Sequence, residues 1–145
     1  MDRIQLQSFS QPALTRPIQA LTQANQITSQ YGLVLTEQQM LSLLQQRQEA
    51  LEATGRVEFG DGVLHLLAER FCDSPFLCPA NYEETLGELQ ALFYYFKNEC
   101  RDRLTDREVL DGMKRLFDGM AQGATEYLAG VPVEALTDLD WKGDW

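Results

Sequence analysis

Histidine is almost missing from this chain: His65 is the single one in 145 residues. A helical bundle that holds two metal ions takes a Glu-x-x-His pair from each of two helices. One histidine, preceded at four and three residues by Asp61 and Gly62, excludes that chemistry. Cysteine is nearly as scarce. Cys72, Cys78 and Cys100 are an odd set at uneven spacing with no C-x-x-C pair, which fits neither a disulfide framework nor structural zinc. A reducing cytoplasm is the expected location. Basic residues are also short, 12 against 22 acidic, for a net charge of −10. Such a surface repels phosphate backbones and anionic bilayers, so direct nucleic-acid binding and membrane attachment are not expected. No apolar run approaches the length of a membrane span. The opening MDRIQLQSFSQ lacks the apolar core of a signal peptide, so export is not expected. The sequence Gly60-Asp61-Gly62 has neither the lysine of a phosphate-binding loop nor the third glycine of a dinucleotide fold.

What the chain has in quantity is helical periodicity. The longest pattern runs from Asn81 to Leu104. Tyr82, Leu86, Leu89, Phe93, Phe96, Cys100 and Leu104 fall in steps of four and three, on one helix face. Leu92 and Tyr95 add a second apolar strip, so this helix is expected to be covered on more than one side. A weaker pattern occupies Leu14 to Tyr31, starting near Thr15 or Arg16 so that Pro17 falls in the first turn, and ending at Gly32. Thr36 and Gln39 form a capping box for a second helix, with Met40, Leu43, Leu44, Ala50 and Leu51 inward and Gly55 as its stop. Arg47 lies on that same inward stripe.

Gly55 to Gly62 reads as a loop pinned by two apolar anchors, Val57 and Phe59, which alternate with Arg56 and Glu58. Asp61 is placed as the cap of a short helix from Val63 to Phe71 or Cys72, and Asn81 as the cap of the central one. The two-proline loop Asp73–Ala80 is apolar enough to pack on the core. Thr105 with Glu108 opens a fifth helix reaching Gly130. Its Gly112, Gly119 and Gly123 suggest close approach of another backbone, most simply the central helix. Pro132 begins a last short turn through Leu136. The reading is an all-α, single-domain bundle of about five helices around a central helix near 82–104. A flexible arm at residues 1–12 precedes the domain at 13–137, and an acidic tail at 138–145 follows it.

Candidate chemistry is thin. His65 has no nucleophile and orienting group near it in the pattern, so no catalytic residue is assigned, and no metal or cofactor is expected. The best polar set is Arg47, Arg56, Glu58 and Asp73. Arg47 and Glu58 fit a structural ion pair holding the loop, while Arg47 and Arg56 fit a grip on an anionic ligand. Tyr94, Tyr95, Trp141 and Trp145 are interface candidates, because amphipathic rings suit surfaces that are buried by a partner.

Four strings, QRQEAL at 46–51, GRVEFG at 55–60, FCDSP at 71–75 and FYYFKNE at 93–99, resemble a family of uncharacterised bacterial proteins of about this size. The likeness runs from about Thr36 to Gly130. It implies a bacterial cytosolic origin and brings no catalytic residue with it.

Three functions are compatible with this chain. The first is a non-enzymatic helical protein that binds another protein or itself. The second is a small-molecule-binding, conceivably enzymatic, domain with an anion pocket near Arg47 and the 55–62 loop. The third is an acidic mimic of nucleic acid, with Glu83, Glu84 and Glu88 as its row of carboxylates.

Overall fold

A computed structural model describes residues 12–141 of the chain. Among the described residues six α-helices follow one another: α1 (Pro12–Thr28), α2 (Glu37–Thr54), α3 (Leu64–Phe71), α4 (Tyr82–Glu99), α5 (Asp106–Asp118) and α6 (Thr125–Ala129). Short 3-10 turns at Ser29–Tyr31 and Val133–Leu136 complete the order. No strand occurs among the described residues, and no helix among them is long and apolar enough to cross a membrane. The result is an all-α domain.

The central position of α4 follows from its composition. Tyr82, Leu86, Leu89, Phe93 and Phe96 are buried as their spacing requires, and Thr85, Gln90, Tyr94 and Lys97 are buried as well. Of the expected Leu92–Tyr95 strip, Leu92 packs partly buried against the core while Tyr95 is 41% exposed, so the second covered side is mainly polar. Helix α2 lies along α4, and α3, α5 and α6 also pack on it. The Gln46 side chain of α2 occupies the space where a Cβ at Gly87 would stand. Gln90 Nε2 donates to Leu43 O of α2 at 3.1 Å inside this contact. Helix α1 closes the domain against α3 and α2.

Both capping boxes form, Thr36 with Gln39 and Thr105 with Glu108. Other local expectations need correction. Helix α1 begins at Pro12, which takes the tolerated first position and leaves Pro17 in the interior. The expected 1–12 arm otherwise lies outside the described residues. Asp61 caps nothing; α3 starts at Leu64 with Val63 before it, and Asp61 bonds Arg16 instead. Asn81 spends its amide on the preceding loop, accepting from Cys78 N and donating to Phe76 O. That loop does pack on the core, through Phe76 and Leu77.

The long fifth helix divides. It ends at Asp118 with Gly119 outside helical geometry, and Gln122 and Gly123 adopt positive φ before α6 begins. Gly112 does admit a neighbouring backbone, but the neighbour is Leu136 of the last 3-10 turn, not α4. Trp141 packs partly buried against the core, while Trp145 and the rest of the expected tail beyond 141 lie outside the described residues.

Candidate functional site

Arg47 is carried into the protein by the buried stripe of α2, between Leu43 and Leu51, and is only 9% exposed. A guanidinium so placed needs fixed acceptors. Glu58 supplies two of them: its Oε1 accepts from Arg47 Nε at 2.6 Å, and its carbonyl oxygen accepts from Nη2 at 3.0 Å. Tyr94 reaches the same carboxylate from α4, donating its hydroxyl to Oε1 at 2.6 Å. Burial pushes the Tyr94 phenol far above its ordinary range, and the bond to the Glu58 carboxylate pushes it further. Tyr94 therefore remains a proton donor. Gly62, with φ +77°, lets the loop turn back over this group; a Cβ there would stand 2.8 Å from Glu58 Oε1.

This geometry reverses the expected orientation of the loop. Arg56 and Glu58 point inward, so alternation drives Val57 and Phe59 outward, 75% and 87% exposed. They are not its anchors. A buried cation and a buried phenol outcompete two apolar side chains for the inner face, because leaving those polar groups unpaired costs more than leaving the apolar ones wet.

Arg56 does not join Arg47. Its Nη2 meets Asp102 Oδ1 at 2.6 Å, and its Nη1 meets Asn98 Oδ1 at 2.8 Å and Asp102 Oδ2 at 3.2 Å. Asn98 in turn donates to Thr54 O at 2.8 Å, so this cluster ties the end of α2 to the end of α4. Hydrogen bonding to Arg56 holds the Asp102 carboxyl below its usual range. Asp73 lies in a third place, where Lys114 Nζ bonds it at 2.8 Å and Asp118 at 2.6 Å, with Ser74 Oγ donating to Asp118. Of the four polar residues singled out, only Arg47 and Glu58 share a site, and each of the two arginines is held by its own carboxylate.

Among the interface candidates, Tyr94 is 1% exposed, with its hydroxyl on Glu58, and offers nothing to a partner. Tyr95 is partly exposed and stacks edge-on against Phe96. The outward pair Val57 and Phe59 was missed. The signal for it was present: if Glu58 meets Arg47, the period-2 alternation leaves residues 57 and 59 no inner position.

Elsewhere Cys72 and Cys100 are buried and Cys78 is exposed, all as free thiols. No group of three or more metal-ligating side chains gathers among the described residues. Glu83, Glu84 and Glu88 line an open groove of about 480 Å³ with Gln39 and Gln46. A smaller cleft of about 280 Å³ separates Glu99–Leu104 from Val133–Thr137.

No curated protein and no solved structure matches the chain. A family model does, over residues 20–140, a span that contains α2 to α6, the Arg47–Glu58–Tyr94 group and the loop above it. The chain belongs to that family, a family of unknown function designated DUF6323.

Proposed function

We propose that this chain is a non-enzymatic binding protein that offers Val57 and Phe59 to another protein. The observation that carries the reading is the exposure of Phe59, 87%, on a loop whose backbone is fixed from beneath by Arg47. Single exposed apolar residues are ordinary. A phenylalanine and a valine held side by side, on a segment that loses little freedom when bound, form the kind of anchor that dominates an interface. The free thiols of Cys72, Cys78 and Cys100 suit a reducing cytoplasm, and the resemblance of the strings quoted above suits a bacterial one.

The test is comparative. Lysate of the source cell is passed over the immobilised wild-type chain and over the Val57→Ala/Phe59→Ala variant, both with equal melting temperatures. The reading predicts a retained protein that the variant loses. Equal retention on both columns, or none on either alongside a strict monomer by light scattering, overturns it.

A further inference from the structure

We propose that Arg47 and Tyr94 form a binding site for a small carboxylate, a site that Glu58 fills from within, so that the 55–62 loop is a strap which such a carboxylate displaces. The proposal rests on the polar group under the loop and not on any docking role for Phe59.

The receptor half of the site belongs to helices. Arg47 is on α2 and Tyr94 on α4, two helices packed along each other and joined by the buried Gln90–Leu43 bond. Their donors converge on one point. Arg47 Nε and the Tyr94 hydroxyl both lie 2.6 Å from one carboxylate oxygen, and Nη2 serves a second acceptor, the Glu58 carbonyl. A guanidinium edge flanked by a phenol matches a carboxylate in shape and charge.

The occupant half belongs to a loop that polar contacts hold in place. Glu58 is on neither helix nor strand. Gly55, Gly60 and Gly62 adopt φ of +67°, +74° and +77°, left-handed bends available to glycine at low cost. Between them the loop has no apolar grip on the core, because Val57 and Phe59 face solvent. Its other ties are polar as well: Arg56 to Asp102 and Asn98, Arg56 N to Leu51 O, and Asp61 to Arg16. Once Glu58 departs, Arg47 is a buried cation without a counter-ion, and an external carboxylate restores the pair that Glu58 gave up.

The probe is acetate, with chloride at equal ionic strength as the control. In Glu58→Ala the site is vacant, and acetate is expected to raise the melting temperature above the chloride control by on the order of 3 °C. The rise is expected to vanish in Arg47→Met/Glu58→Ala. If Glu58→Ala does not fold in chloride, acetate is expected to restore its fold, read by circular dichroism, and to have no such effect on Arg47→Met/Glu58→Ala; no recovery overturns the site. In the wild-type chain, acetate at the concentration that saturates the vacant site is expected to accelerate cleavage after Glu58 by a glutamate-specific protease, read by mass spectrometry. No rise beyond chloride, or a rise that survives removal of Arg47, overturns the site. An unchanged cleavage rate at Glu58 overturns the strap.

Discussion

Tyr94 donates its hydroxyl to Oε1 of Glu58 at 2.6 Å, the same oxygen that accepts Arg47 Nε. One carboxylate from a loop thus satisfies donors from two helices, and the orientation of the whole 55–62 segment follows from that bond. Tyr94→Phe keeps the ring in its pocket and removes one donor to a charged acceptor. It is expected to lower unfolding free energy by about 1–3 kcal/mol in urea titration. A change near zero would mean that Arg47 alone holds the carboxylate.

Arg47→Ala leaves Glu58 facing the interior without its cation. The expected loss is about 3–5 kcal/mol. Arg47→Met with Glu58→Gln, which removes both charges and retains volume, is expected to lose less than Arg47→Ala alone. Equilibrium unfolding of the single and double variants gives the coupling between the two positions directly.

Local features of this fold were readable, and distant pairings were not. The capping boxes at Thr36 and Thr105 and the α4 stripe from Tyr82 to Phe96 depend on residues a turn or two apart. The break after Asp118 was missed because a single glycine is tolerable in a helix, and nothing in the spacing marks Gly119 as the one whose backbone leaves helical geometry. Arg47 and Glu58 were paired by inspection, yet Val57 and Phe59 were still read as anchors, although the two statements exclude each other by alternation. Tyr94 looked like an interface residue because its partner lies far upstream in the chain, on a loop with no periodicity to announce it.

Stability is expected to fall at high pH. Burial raises the Cys72 thiol, raises the Tyr82 phenol to about 12, and raises Tyr94 as well. In each case the folded value exceeds the unfolded one, so the folded protein keeps protons that the unfolded chain releases. Their contribution is complete below about pH 8 and is lost as pH rises from the unfolded values, about 8.5 for cysteine and 10 for tyrosine, through the raised folded ones. The Tyr82 hydroxyl is buried beside Thr28 but makes no well-aligned hydrogen bond. Tyr82→Phe is therefore expected to be near neutral at pH 7 and to lessen the alkaline loss. Urea midpoints at pH 7, 9 and 10.5 check both points.

Asp102 predicts the opposite dependence at the acid end. Its carboxyl is held low by Arg56, so its contribution is present above the ordinary carboxylate range and disappears as pH falls through the lowered value. Asp102→Asn is expected to flatten stability between pH 5 and pH 3, measured by thermal melts, relative to the wild-type chain.

Gly112 offers a test of the last 3-10 turn. A Cβ at this position would fall on the Leu136 backbone, which has no flexible end to move aside. Gly112→Ala is expected to cost about 1–3 kcal/mol despite the better helix propensity of alanine. A stabilised variant would show that Leu136 does not pack against α5.

The central claim is that polar contacts beneath the 55–62 loop hold it, and that its apolar residues do not. Urea unfolding of Phe59→Ser and Glu58→Ala, side by side in a carboxylate-free buffer, measures this most directly. The prediction is that Phe59→Ser stays within about 0.5 kcal/mol of wild type, while Glu58→Ala loses about 3 kcal/mol or more because Arg47 is left buried and unpaired. A larger loss for Phe59→Ser than for Glu58→Ala would contradict the account.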